Sequence, residues 1–450
     1  MYLFYLFFLF INIINSISCQ FLFELTRKIK QPTEDNFYNY LINNPIETEI
    51  KIGDPPQKIA CTVSLNQHAF YILPIEKQGK YNYQLSKTFS NHTKIECLRP
   101  NQCLKEGFEG SESFIFKTIN EEDKTIKDIK FIMAENPNTG ACVKLLNAQI
   151  GLTYIKYSKL YDSNFISHLN NNKILKSYSF FFQFANNSDE KDYLIIGGYP
   201  HEYDSENYDN KNLIKGSVED DNFWNIAMDV KINDELIGRE IGCKIDILMK
   251  GIQCTSIYQK KINEMFFQEY LDNNLCFKHD SKGIYEDLFY YSCDLSINIT
   301  KLPNLYFIFS SMNYTFNFTY NDLFIKFNNK YYFLIVFHQK YMREWVLGEL
   351  FLKKYNIIFD QSSESISLYT YYTSNKKKKN EKEQKGNEGN KSFLKTLVIV
   401  FFCSTIILSI LLYKFLLKFP RKKRANELDD TFEYNTKEIV QKTDYSKLIN

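Results

Sequence analysis

Residues 50–74, with the sequence IKIGDPPQKIACTVSLNQHAFYILP, decide the fold of this chain. Apolar and polar residues alternate on both sides of Gly53-Asp54-Pro55-Pro56, a pattern typical of a β-hairpin with a tight turn. The second strand of the hairpin runs into a polar turn, and a short apolar strand from Phe70 to Leu73 ends before Pro74. The stretch therefore predicts three consecutive β-strands.

The same pattern continues along the chain. From Ile46 onward, short segments rich in Ile, Phe, Tyr and Val are separated by turn residues at intervals of about ten residues. Helical periodicity is rare, so the sequence predicts an all-β chain. With 450 residues, 44% of them hydrophobic, the chain has enough apolar side chains for a large core in one big domain or in two lobes.

Residues 50–74 resemble the first active-site segment of pepsin-like aspartic proteases, where an I-G-x-P-x-Q turn precedes a strand that ends in Asp-Thr-Gly-Ser. Further motifs of that family follow in order over residues 46–370. They are Ile150-Gly151-Leu152, the strand from Tyr193 to Tyr199, the aromatic segment from Phe223 to Ile226, the strand from Leu302 to Phe309, and the block from Trp345 to Asp360. The last block is the most specific, and it differs at Glu349, where the family has Asp. The resemblance implies a bilobal fold with two related β-rich lobes and a central cleft.

The first catalytic acid of the family is missing from its expected position. Counting forward from Ile52 places that position at Ser64, whereas counting back from Pro74 places it at Leu65. Neither residue is a carboxylic acid.

The second acid position is also substituted. The segment from Ile247 to Ile257 is similar to the second active-site segment, and this alignment puts Met249 at the acid position. Gly251 is then expected to make a tight turn with a positive φ. Asp246 is a candidate displaced acid, although no glycine turn follows it.

The flap of the family is the third element of its active site. Residues 107–113 fall where the family has its flap hairpin, and Phe108 takes the place of the flap tyrosine.

Hydrolysis by this family needs two carboxyl groups that share one proton, so that one activates water and the other polarises the scissile carbonyl. A hydroxyl, an aliphatic group and a thioether cannot do this work. The sequence therefore favours a catalytically inactive relative that binds extended peptides in the cleft between the lobes. Two alternatives remain open: an active endopeptidase that uses Asp246 as a displaced acid, and a surface or endosomal receptor or adhesion protein. No cofactor and no metal site are expected, because zinc-ligand, serine-hydrolase and phosphate-loop motifs are all missing from the sequence.

The ends of the chain predict a type I membrane protein of the secretory pathway, at the cell surface or in an endosomal or vacuolar membrane. An apolar N-terminal run has the form of a signal peptide, and the uncharged run from Leu397 to Tyr413 precedes the basic cluster from Arg421 to Arg424. The predicted order is signal peptide, lead or vestigial propeptide, N-terminal lobe, C-terminal lobe, charged stalk, transmembrane helix and cytosolic tail. Their bounds are 1–19, 20–45, 46–205, 206–372, 373–392, 393–419 and 420–450.

Cysteines and glycosylation sequons agree with this topology. Setting aside Cys19 and Cys403, eight of the ten cysteines would lie in an oxidising compartment. Short intervening loops favour the disulfides Cys97 with Cys103 and Cys276 with Cys293, and no pairing is predicted for Cys61, Cys142, Cys243 and Cys254. The sequons are at Asn91, Asn186, Asn298, Asn313, Asn317 and Asn390.

The net charge is only +2, so no strong field suggests a nucleic-acid partner. The expected partners are a peptide or protein ligand in the cleft and a membrane crossed once. The sequence does not indicate an oligomeric state.

Overall fold

A computed structural model describes residues 19–67, 69–74, 80–96, 106–134, 148–153, 164–185, 190–219, 224–281, 287–339 and 344–370. Within these residues the chain forms two large sheets. The first has thirteen strands and the second has eleven. The all-β prediction is confirmed.

The strands are β1 (Phe21–Arg27), β2 (Ile46–Ile52), β3 (Gln57–Ser64), β4 (Tyr71–Ile72), β5 (Ser90–Glu96), β6 (Glu106–Thr118), β7 (Asp123–Ala134), β8 (Ala148–Gly151), β9 (Ser179–Gln183), β10 (Asp192–Ile196), β11 (Leu213–Ser217), β12 (Asn225–Ile232), β13 (Glu235–Ile245), β14 (Ile252–Cys254), β15 (Cys276–Asp280), β16 (Leu288–Asp294), β17 (Leu305–Phe309), β18 (Tyr314–Phe318), β19 (Phe324–Phe327), β20 (Lys330–Phe333), β21 (Ile335–His338), β22 (Trp345–Leu347), β23 (Ile358–Asp360) and β24 (Ser365–Tyr369). The α-helices are α1 (Phe37–Ile42), α2 (Phe165–Asn171), α3 (Ser256–Ile262), α4 (Gln268–Asp272), α5 (Tyr320–Leu323) and α6 (Glu349–Tyr355). The strand order of the first sheet is β11-β24-β23-β9-β10-β1-β2-β3-β8-β4-β7-β6-β5. In the second sheet ten strands follow the order β18-β17-β12-β13-β22-β14-β21-β16-β20-β19, and β15 pairs with β16.

The predicted hairpin is the pair β2 and β3, whose register runs from Glu47 opposite Thr62 to Ile52 opposite Gln57. The turn between the strands is formed by residues 53–56, and Gly53 adopts a φ of 87°, which favours glycine. Alternate residues of the two strands, among them Ile50, Ile52, Ile59 and Val63, are buried in the core. The hairpin therefore has the period-two burial that the sequence predicts.

One strand arrangement occurs twice. In the first sheet β3 is parallel to β8, β8 is antiparallel to β4, and β4 is parallel to β7. In the second sheet β13 is parallel to β22, β22 is antiparallel to β14, and β14 is parallel to β21. This repeat is the related pair of β-rich units that the resemblance implies.

Residues 20–45, predicted as a lead or vestigial propeptide, contribute to the folded core. Strand β1 pairs with β10, β2 and β6, and its side chains Phe21, Phe23 and Leu25 are buried. Helix α1 buries Phe37, Tyr40 and Leu41, and they pack with side chains of β16, β20 and β21. Removal of this segment stays a prediction, but its strand and helix are integral to both sheets.

The disulfide predicted between Cys276 and Cys293 is present, across the paired strands β15 and β16. The proposed partners Cys97 and Cys103 lie outside the described residues, as does Cys142. The remaining three, Cys61, Cys243 and Cys254, are buried and form no disulfide.

Three of the predicted sequon asparagines, Asn91, Asn298 and Asn313, are exposed, and Asn317 is half-buried. The signal peptide through residue 18, the stalk, the membrane segment and the tail, together with Asn186 and Asn390, lie outside the described residues. No helix in the described part of the chain is both long and apolar enough to cross a membrane.

Candidate active site

The first of two loops, called the central loops below, begins at Ser64, where strand β3 ends. Parallel pairing places Val63 opposite Ile150 and Ser64 opposite Gly151. The Leu152 amide donates a hydrogen bond to the Ser64 carbonyl at 2.8 Å, and Ser64 is only 1% exposed. Of the two candidates for the first acid position, Ser64 is therefore the residue at the end of the strand, next to Gly151 of β8. Gly151, and Gly348 in the second sheet, are called the crossing glycines below.

The second central loop follows strand β13 in the same way. Lys244 pairs with Val346 and Ile245 with Leu347, so the next residue, Asp246, stands beside Gly348. The Asp246 amide donates to the Leu347 carbonyl at 3.0 Å. Asp246 thus has the place in the second sheet that Ser64 has in the first.

Close contacts of the two crossing glycines establish this equivalence independently. A Cβ on Gly151 would lie 2.5 Å from the Gln67 carbonyl oxygen and 2.6 Å from that of Ala69. A Cβ on Gly348 would lie 2.5 Å from the carbonyl oxygen of Met249 and 2.2 Å from that of Gly251. Gln67 and Ala69 follow Ser64 by three and five residues. Met249 and Gly251 follow Asp246 by the same three and five residues.

The prediction that Met249 takes the second acid position is therefore wrong. Met249 corresponds to Gln67 and is 4% exposed, whereas the acid position holds Asp246. Ser64-Leu65-Asn66 and Asp246-Ile247-Leu248 then occupy the places of the two Asp-Thr/Ser-Gly triplets of the family.

The expected role of Gly251 is also corrected. Among the described glycines only Gly53 and Gly197 have a positive φ, so Gly251 does not make a left-handed turn. It is needed because a Cβ there would lie 2.1 Å from the Leu334 carbonyl oxygen. Close backbone approach is thus its physical requirement.

Both loops are closed by the same hydrogen bond. The Asn66 amide nitrogen donates to the Ser64 hydroxyl at 3.1 Å, and the Leu248 amide nitrogen donates to Asp246 Oδ1 at 2.9 Å. In each loop the side chain at the end of the strand accepts a hydrogen bond from the backbone amide of the residue two positions later. One loop presents a hydroxyl and the other a carboxyl group.

A direct hydrogen bond links the loops. Asn66 Nδ2 donates to Asp246 Oδ2 at 2.5 Å, so both oxygens of Asp246 accept a hydrogen bond from the protein. Burial raises the pKa of Asp246, while the bonds from Leu248 and Asn66 and the charge of Lys244 oppose this rise. Sequence reasoning missed Asn66, although it stands where the family has glycine.

The flap prediction for Phe108 does not agree with the strand pairing. Phe108 lies within β6, opposite Lys94 of β5 and Met133 of β7, and is not at a hairpin tip. The nearby Gly110 serves packing, because a Cβ there would lie 3.0 Å from the Phe89 ring and 3.3 Å from that of Phe131. Residues 97–105, which connect β5 to β6, lie outside the described residues.

A buried ion cluster anchors the second loop. Glu349, the first residue of α6, forms two salt bridges: Oε2 pairs with Arg27 and Oε1 pairs with Lys250. Arg27 also donates to the carbonyls of Asn44 and Ile247. The Lys250 amide donates to the Leu41 carbonyl at 2.7 Å, so β1 and the α1 segment both hold this loop.

Two further features lie apart from the loops. A surface pocket of about 600 Å³ is lined by β1, β2, β3, β6 and β7, and neither Ser64 nor Asp246 lines it. Among the described residues, no group of three or more His, Cys, Asp or Glu side chains could hold a metal ion. The expectation that the protein needs no metal stays a prediction.

Comparison with known families agrees with this geometry. The family described as eukaryotic aspartyl protease matches residues 47–370. The matched segment includes both central loops and the repeated strand arrangement. No curated protein gives a significant match to the chain.

Proposed function

Because the chain belongs to the eukaryotic aspartyl protease family, we propose that it binds extended peptides in a pepsin-like cleft without hydrolysing them. The observation that carries this proposal is the composition of the centre. Ser64 takes one acid position, and the single carboxyl at the other, Asp246, is already bonded by Asn66. Two carboxyl groups that share a proton are therefore missing from these positions.

The hydrogen-bonding state of Asp246 supports the same conclusion. A carboxylate that activates water must accept a hydrogen bond from that water. Each carboxylate oxygen has two acceptor sites, and here Asn66 Nδ2 fills one on Oδ2 while the Leu248 backbone amide fills one on Oδ1. The Asn66 side chain projects from the family's glycine position toward the carboxyl group, where it competes with water.

Peptide binding is supported by what the chain has kept. The crossing glycines, the paired loops and the block from Trp345 to Asp360 are constraints on the backbone that do not depend on catalysis. A pepsin-like cleft can hold a peptide through main-chain hydrogen bonds and side-chain pockets. The membrane anchor and secretory route are part of the proposal and rest on the terminal sequences alone.

The location of Asp246 favours one second candidate function, a weak acid protease that uses a single carboxyl group. A hydrolysis assay with quenched fluorescent peptides between pH 3 and pH 7 separates the two, when run on the full-length protein and on Asp246→Asn. The proposal predicts no hydrolysis by either, together with peptide binding in fluorescence anisotropy. Hydrolysis by the parent that is lost in Asp246→Asn would establish the second candidate instead.

A further inference from the structure

The ion cluster beside the second loop has more positive than negative charge. Glu349 is shared by Arg27 and Lys250. The side chains of Glu349 and Arg27 are 4% and 8% exposed, whereas that of Lys250 is 26% exposed. Arg27 and Glu349, the two buried members, form a neutral pair. Lys250, which reaches solvent, carries the remaining positive charge.

The surroundings of Lys250 increase this positive potential. Charges near Lys250 include the acid Glu349 and two further cations, Arg27 and Lys353. Burial and the two cations lower the pKa of Lys250, and Glu349 opposes this. Its ammonium group lies 5.8 Å from the centre of the Tyr40 ring, which is almost fully buried. Lys250 is also the fourth residue after Asp246, on the same loop, and its side chain is the member of the cluster that solvent reaches.

We propose that Lys250 forms a subsite for a carboxylate, supplied by an acidic side chain of the bound peptide. The ammonium group has three hydrogen-bond donors, and Glu349 Oε1 occupies one of them. A ligand carboxylate would accept from another donor and neutralise the excess charge. The proposal rests on the proposed function, because it names the class of peptide that the cleft selects.

The test uses full-length protein and extended peptides in which Glu is scanned through every position against Gln at the same position. One register of Glu is expected to bind about tenfold more tightly than its Gln counterpart, the size of one charge-assisted hydrogen bond. This preference should disappear in Lys250→Met and persist in Lys250→Arg. Lys250→Met leaves the neutral pair of Arg27 and Glu349 in place, so it should fold. Lys260→Met, at a side chain that is 86% exposed, is the charge-matched control and should keep the preference.

Equal affinities for Glu and Gln at every register, with peptides bound, would overturn the subsite and leave the proposed function intact. If no peptide binds, the proposed function fails, and the subsite is decided by thermal shift with N-acetylglutamate amide against N-acetylglutamine amide. A larger shift with the acid, in the parent and not in Lys250→Met, would support the subsite. Equal shifts would overturn it.

Discussion

The two central loops share one backbone plan and differ in the groups they carry. The first loop follows β3, which runs parallel to β8, and the second follows β13, which runs parallel to β22. Each loop packs against a glycine, Gly151 or Gly348, at which a Cβ would clash with carbonyl oxygens of the loop. The first presents Ser64 with Asn66 behind it, and the second presents Asp246 with Leu248 behind it. The comparison teaches that the backbone constraints of this fold are separate from the groups its loops carry, so the same loop architecture holds a serine in one place and a carboxyl group in the other.

The loops also differ in how they are anchored. Leu152, which follows Gly151, is fully buried among apolar side chains. Glu349, which follows Gly348, is tied to Arg27 and Lys250. The first loop is also held by Thr153, which donates hydrogen bonds to the carbonyl oxygens of Leu65 at 2.6 Å and Gln67 at 2.9 Å. It thus depends on apolar packing and neutral hydrogen bonds, whereas the second loop depends on a buried charge cluster.

Making the loops alike should have the largest effect. The double variant Ser64→Asp with Asn66→Gly restores a second carboxyl and removes the amide that engages Asp246. Peptide cleavage at acid pH should become measurable and exceed the assay background, which is all that the parent is expected to show, by at least about 100-fold, the lower range for acid–base catalysis. A quenched fluorescent peptide assay measures the gain.

Two controls limit that prediction. Ser64→Asp alone should stay close to the parent because Asn66 still bonds Asp246, and Ser64→Asp with Met249→Asp should gain nothing because Met249 is away from the acid position. A folded Ser64→Asp/Asn66→Gly protein without activity would contradict the equivalence of the two loops.

Breaking the charge anchor of the second loop is expected to destabilise the protein strongly. Glu349→Met leaves the buried Arg27 without its acid, whereas Arg27→Met would still leave Glu349 paired with Lys250, so Glu349→Met should lower the free energy of unfolding by about 3–5 kcal/mol. Lys51→Met breaks an exposed, solvent-screened pair with Asp123 and should have little effect on stability. Urea unfolding of both variants provides the measurement, and equal losses would show that the buried cluster is not an anchor.

The shared backbone plan predicts similar penalties at the two crossing glycines. Gly151→Ala and Gly348→Ala each place a Cβ against carbonyl oxygens, and overpacking of this kind costs about 1–3 kcal/mol or more. Gly242→Ala is the control, since its nearest contact is the flexible Glu344 side chain at 3.1 Å. Thermal unfolding that shows a loss in only one of the two glycine variants would break the comparison.

The smallest expected effect is the pH dependence that Asp246 alone introduces. Burial raises its folded-state pKa above the unfolded value of about 4. Between those two pKa values the unfolded chain has released its proton while the folded protein still holds it. The free energy of unfolding therefore falls as pH rises through this window. Asp246→Asn should remove that slope from the curve of Tm against pH. Parallel curves for parent and variant would contradict the raised pKa.

Local sequence patterns predicted the parts of the fold that depend on neighbouring residues. The hairpin around Gly53 and the disulfide between Cys276 and Cys293 both involve residues close in the chain. The alternation of Phe21, Phe23 and Leu25 also has the period of a buried strand, and it was a readable signal for β1 that the interpretation of this segment as a lead overlooked.

The second acid could not be located in this way because its position is defined by a distant strand. Aligning Gly251 with the glycine of the family motif shifted the expected acid to Met249. The pairing of Ile245 with Leu347, about a hundred residues later, and the hydrogen bond from the Asp246 amide to the Leu347 carbonyl identify Asp246 instead. Phe108 was misplaced for a similar reason, since it lies within paired strands and the nearby Gly110 serves ring packing and not a turn. Asn66 could have been noticed, because it replaces glycine in the first triplet.

The most direct test of a centre that binds peptides but does not cut them is to follow the fate of the bound peptides. Full-length protein is incubated at pH 4 with a diverse library of extended peptides, and bound and free fractions are both analysed by mass spectrometry. We expect a subset of peptides to be enriched intact in the bound fraction, with no new cleavage products in either fraction. Cleavage products that appear with the parent and vanish with Asp246→Asn would contradict the account.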